Sequence, residues 1–140
     1  MTSYAIKAKK TVNGKAPSGN EAGKFTFKLY KIDDKGNETL VDTKSNGDGG
    51  LVSFDTFGNI TEAGTYWYKI TEEGTVAGYT IDTTVYYAEV VVNATPSNGV
   101  IISKNAKVTY HKGTKTGDTA TVATFNNIKK EDETSANIKV

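Results

Sequence analysis

Residues 65–73 read Thr65-Tyr66-Trp67-Tyr68-Lys69-Ile70-Thr71-Glu72-Glu73, and the period of two in this stretch decides the fold. Tyr68, Ile70 and Glu72 fall on one face, and Glu73 turns to the other. Aromatic and β-branched residues fill the segment, as in a strand. A glutamate in line with two large apolar side chains is unusual, because a buried charge is costly unless paired or neutralised. Two distant fragments repeat the pattern. In AIKAKKTVNG (5–14), Ile6, Ala8 and Lys10 share a face, and in ATFNN (123–127) Phe125 and Asn127 do. Parity separates Lys10 from Lys7 and Lys9, and Asn127 from Asn126. A lysine, a glutamate and an asparagine are thus expected in one apolar core. A covalent bond that the chain makes by itself would explain them.

Candidate strands extend outward from that centre at short intervals, with turn signals between them. The first covers roughly 3–12 and ends at Asn13-Gly14. Strands at 24–33 and 38–43 flank the turn Asp34-Lys35-Gly36-Asn37, and another spans 51–57. In 84–94, Tyr86, Ala88, Val90 and Val92 face one way, while Tyr87, Glu89, Val91 and Asn93 face the other, which leaves Glu89 in solvent. Pro96-Ser97-Asn98-Gly99 is expected to turn the chain into a strand at 100–110, and 119–128 is the last. No stretch has convincing helical periodicity. The expected fold is an all-β sandwich.

At 140 residues the chain fits one domain with a substantial core. The net charge of +1 argues against nucleic acid or a membrane surface as a partner. All 17 basic residues are lysines, so bidentate guanidinium clamps are not available. There is no long apolar run to cross a membrane, and Met1-Thr2-Ser3 has no signal-peptide character. The absence of Cys removes disulfides, thiol catalysis and thiolate metal sites together. There is no Gln either.

The end of the chain echoes its start. Thr134-Ser135-Ala136-Asn137-Ile138-Lys139-Val140 resembles Thr2-Ser3-Tyr4-Ala5-Ile6-Lys7-Ala8 and follows the charged run Lys129-Lys130-Glu131-Asp132-Glu133. This suggests one unit of a tandem array, in which 1–130 is the domain and 131–140 is a linker with the opening strand of the next unit. That strand has no partner within the unit and is expected to be mobile.

The segments AKKTVNGK, GTYWYKITEE, GYTIDTTVYYAEVVV and ATFNNIKK together resemble the pilin isopeptide-linkage domain over about residues 4–130. That domain occurs in Gram-positive backbone pilins and surface-adhesin stalks and is related to the B-type domains of collagen-binding adhesins. The resemblance implies an inverse immunoglobulin-like β-sandwich with an intramolecular Lys–Asn isopeptide bond between first and last strands, assisted by a buried Glu. Carried onto this chain, the bond joins Lys10 to Asn127 and the catalytic carboxylate is Glu72, the residues that parity selects.

Amide formation needs a neutral amine and an activated carbonyl. Burial among Phe25, Phe27, Tyr68 and Phe125 is expected to lower the Lys10 pKa and raise that of Glu72. Glu72 could then take the amine proton, donate to the Asn127 carboxamide oxygen and help ammonia depart. Oriented intramolecular partners reach effective molarities of roughly 10⁵–10⁸ M. The reaction consumes its nucleophile once, so the chain is not an enzyme. The plainer alternative is a Lys that snorkels to water and an Asn that caps a turn.

Other chemistries fit less well. Thr–Gln esters and Cys–Gln thioesters need the missing Gln. His111 is the one histidine, in the polar stretch HKGTKTGD, and is expected in solvent. Asp33, Asp34 and Asp48 lack calcium-loop spacing, so no metal and no cofactor is implied, and Asp82 is expected to organise a turn. Trp67 lies opposite Tyr66 and Tyr68, which argues against a single sugar-stacking row.

Lys10 and Asn127 each lie late in their strands. If those strands are neighbours meeting at these ends, they run parallel and the termini leave at opposite poles. Taken with the resemblance, this placement implies a stalk or shaft module of an extracellular Gram-positive surface protein at the cell wall, expected to be a monomer in isolation, with adjoining repeats or pilin subunits as partners. The alternative is a binding module for a host glycan or matrix protein through loops 44–50 or 111–119, and a spacer in a secreted enzyme is a third possibility. No LPxTG-like sorting motif and no obvious pilin-polymerising lysine motif is visible, so pilus subunit and adhesin repeat stay undivided.

Overall fold

The computed structural model describes residues 4–54, 63–97 and 100–130. Strand β1, Lys7–Val12, alternates as its sequence does, with Ala8, Lys10 and Val12 buried and Lys7 and Lys9 exposed. It ends at the expected turn, where Asn13 and Gly14 both take positive φ (51° and 78°) and Val12 bridges back to Lys15. The strands that follow are β2 (Thr26–Ile32), β3 (Glu38–Ser45), β4 (Leu51–Ser53), β5 (Gly64–Glu73), β6 (Tyr79–Thr80), β7 (Tyr86–Ser97), β8 (Val100–Lys112), β9 (Thr119–Ala120) and β10 (Ala123–Lys129). Short 3₁₀ turns cover Gly19–Glu21 and Asp48–Gly50. Among the described residues no helix is long and apolar enough to cross a membrane.

These strands form two sheets, one ordered β4-β1-β10-β6 and the other β3-β2-β5-β7-β8-β9. The fold is the expected β-sandwich. First and last strands are neighbours and parallel, with Lys10 opposite Phe125 and Val12 opposite Asn127. Between the sheets lie Ile6, Ala8, Phe25, Phe27, Leu29, Val52, Tyr68, Ile70, Val90 and Phe125, all essentially inaccessible to water. Phe125 packs against Phe27 in a tilted pair and against Tyr86 edge to face, at 5.4 and 5.2 Å between ring centres.

Three expectations are corrected. The strand expected at 119–128 is two strands in different sheets. Thr119 pairs with His111 in the larger sheet, then the chain bends at Thr121-Val122 and crosses to join β1. A period-two pattern carries through such a crossing unmarked. The two-residue β6 gives no periodic signal, yet its antiparallel pairing with Ile128 and Lys129 closes one edge of the smaller sheet. His111 is not solvated in a loop. It lies in β8, half-buried, with Nε2 2.8 Å from Glu89 Oε1 and its ring 5.6 Å from that of Trp67. Glu89 is accordingly paired on the outer face of the sheet and not free in solvent.

Residues 55–57 of the strand expected at 51–57 lie outside the described residues, as does the tail at 131–140 with its expected mobility. β7 and β8 stay paired down to Ser97 opposite Val100, which leaves only Asn98 and Gly99 of the expected turn, both outside the described residues.

Candidate functional site

Lys10 from β1 and Asn127 from β10 project from the smaller sheet, and Glu72 from β5 meets them from the larger one. All three are buried, Lys10 and Asn127 completely. Lys10 Nζ donates to Glu72 Oε1 at 3.2 Å and to the Phe125 carbonyl oxygen at 2.9 Å. It also stands 5.2 Å from the centre of the Phe25 ring. Asn127 Nδ2 donates to Glu72 Oε2 at 2.6 Å. One carboxylate therefore bridges the amine and the carboxamide, one oxygen to each nitrogen. The parity argument that aimed these residues inward agrees with the structure at each position.

Burial dominates the electrostatics. Loss of water pushes the Lys10 ammonium below its ordinary pKa, against the stabilising pull of the Glu72 carboxylate. The same loss raises the Glu72 carboxyl, against the hydrogen bond from Asn127 and the charge of Lys10. Both directions favour the neutral pair, a free amine beside a carboxylic acid, which is the state in which an amine can attack a carbonyl.

The Asn127 oxygen differs from expectation. Glu72 does not meet it. Oδ1 instead accepts the main-chain N–H of Asp82 at 2.8 Å. An N–H requires an acceptor, which fixes the orientation of the carboxamide and turns Nδ2 to Glu72. Asp82 organises its turn as expected, with Oδ1 accepting Thr84 N at 2.8 Å, and it does something the sequence did not suggest, with Oδ2 accepting Asn126 N at 2.8 Å. Burial raises the Asp82 pKa and these hydrogen bonds lower it, with a net shift below the ordinary value.

Two further supports surround the site. Gly50, at φ +87°, packs so closely on Lys10 that an added Cβ would lie 2.1 Å from the Lys10 carbonyl oxygen. Behind the site, buried Glu21 accepts the Tyr79 hydroxyl at 2.5 Å, and buried Asn46 ties Glu21 O to Phe25 N. Ser18-Gly19-Asn20-Glu21 is a capping-box pattern, and Glu21 does accept from Ser18 N at 2.9 Å. That signal was available in the sequence. Outside this core, no group of three or more His, Cys, Asp or Glu side chains among the described residues could hold a metal. Trp67 faces outward while Tyr68 is buried, so they form no stacking row.

Residues 6–130 match the family model described as FctA, Spy0128-like isopeptide containing domain. No curated protein is significantly similar in sequence. Among solved structures, the major pilin from Streptococcus pyogenes aligns with a TM-score of 0.53 at 18% identity, over 91% of this chain and 50% of the pilin. A glutamate-to-alanine mutant of the same pilin gives a TM-score of 0.53, and an asparagine-to-alanine mutant 0.52. The chain thus spans half the length of the solved pilins it matches, and at this identity the likeness concerns the fold.

Proposed function

The chain belongs to the FctA family of Spy0128-like isopeptide containing domains, and on that premise we propose that it is a structural stalk module of a Gram-positive surface protein or pilus, locked by an amide bond between Lys10 and Asn127. It is a structural module and not an enzyme, since the bond forms once and Glu72 serves a single intramolecular event. The observation that carries the proposal is the buried Glu72 carboxylate shared by Lys10 Nζ and Asn127 Nδ2. Such a trio is costly to bury as charges, and one covalent step converts it into a neutral amide and a carboxylic acid.

The parallel pairing of β1 and β10 supports the mechanical role. Tension entering before Lys10 crosses to Asn127 and leaves through the end of β10, so residues 11–126 lie off the load path. Repeats or pilin subunits attached before and after would be joined in line, outside the cell at its wall. The echo between 2–8 and 134–140 fits a tandem array. Force spectroscopy from the two termini tests this role. The wild-type domain is expected to give no unfolding extension, and Lys10→Ala or Asn127→Ala to release the length of 11–126. Equal extensions in wild type and variants would contradict it.

A further inference from the structure

On the reading that Lys10 and Asn127 join, we propose that the loop between β6 and β7 activates the carbonyl: the Asp82 main-chain N–H is the donor that stabilises Asn127 Oδ1 as it gains negative charge, and the Asp82 carboxylate is the positioning group that holds that donor in place. When the amine attacks Cγ, charge develops on Oδ1. Both Glu72 oxygens already face nitrogens, Oε1 toward Lys10 Nζ and Oε2 toward Asn127 Nδ2, so the oxygen needs a donor from elsewhere. Asp82 N lies 2.8 Å from it, within the range that serves a developing oxyanion. A main-chain N–H has no proton to lose over the working pH range, so this contact persists through every protonation state of Glu72.

The carboxylate fixes both partners of that contact. Its Oδ1 takes Thr84 N, which closes the turn carrying Asp82, and its Oδ2 takes Asn126 N, the residue before the electrophile. Donor and acceptor are therefore tied to one side chain. The work divides cleanly. The Lys10 Nζ–Asn127 Cγ bond forms and the Cγ–Nδ2 bond breaks. Of the two protons that the Lys10 ammonium gives up through Glu72, one leaves on Nδ2 as ammonia and one stays on the Glu72 carboxyl. Asp82 handles no proton.

The test uses the full chain assembled by chemical ligation, which is unreacted while unfolded, and follows ammonia loss by intact mass after dilution into folding buffer. Replacing the residue 82 amide by an ester keeps the carboxylate and deletes the N–H. The rate per folded molecule is expected to fall by about 10²–10³-fold, the usual loss for one oxyanion donor. Asp82→Ala should slow it at least tenfold without a matching loss of folded fraction. Should Asp82→Ala fail to fold, the ester chain decides. A second readout uses Lys10→Met, in which the carboxamide persists. There the ester should move the infrared band of a ¹³C-labelled Asn127 side-chain carbonyl to higher frequency. Wild-type rates in the ester chain, or an unmoved band, would overturn the inference. A wild-type chain that never loses ammonia would instead overturn the bond itself.

Discussion

Lys10 and Glu72 are each deprived of water in the core, and for each the burial cost of the charged form exceeds what the other's charge returns. Removing one partner exposes that cost. In Lys10→Met the bond cannot form and Glu72 keeps its raised pKa without a cation to oppose it. A group whose folded pKa exceeds its unfolded value binds protons better when folded, so its stabilising contribution is present at low pH and is lost as pH rises. The window opens near the ordinary carboxylate value of about 4 and runs up through the raised one. Denaturant titrations of Lys10→Met should therefore give lower stability in mildly alkaline than in mildly acidic buffer, and a rise with pH would contradict this. Inward parity at Lys10, Glu72 and Asn127 was legible because side-chain direction alternates strictly along a strand. Asp82 was only half legible. Its Asx turn is a side-chain property that sequence advertises, whereas its contact with Asn127 Oδ1 is made by a main-chain N–H that every residue but proline possesses.

The smaller sheet brings Lys10 and Asn127 together, and its least conspicuous parts set their geometry. The 3₁₀ turn Asp48–Gly50 leads into β4, which pairs with β1 at Lys7–Lys9, and Gly50 sits against the Lys10 carbonyl. Gly50→Ala combines a backbone clash with a strained positive φ, and is expected to cost about 3 kcal/mol. It should also slow bond formation by displacing β1. Chemical denaturation and time-resolved mass report the two effects, and a neutral substitution would show that β1 tolerates the shift. Strand existence was legible from alternation in β1, β2, β5 and β7. The sheet change between β9 and β10 was not, because 119–128 keeps its β-rich composition through the bend. His111 departs from expectation for a related reason. Its glycine- and lysine-rich neighbours 112–117 signal a loop, while its own position is set by pairing with Tyr87 across β7 and β8.

Across the whole molecule, the Lys10–Asn127 link would close a loop that contains nearly the entire fold. By analogy with a disulfide, this contributes on the order of 5 kcal/mol through the unfolded state. Asn127→Ala should lose that amount and the buried contacts of its carboxamide as well, seen as a lower midpoint in thermal and denaturant unfolding. An unchanged midpoint would mean that no link contributes. On the proposed reading, a chain without cysteine would gain its staple from residues that the core itself activates. All of this rests on one covalent event, which the intact mass of the purified, denatured chain reads directly. The wild-type chain is expected to be lighter than its sequence by one ammonia, and Glu72→Ala to have the full mass. A wild-type chain at full mass would contradict the account.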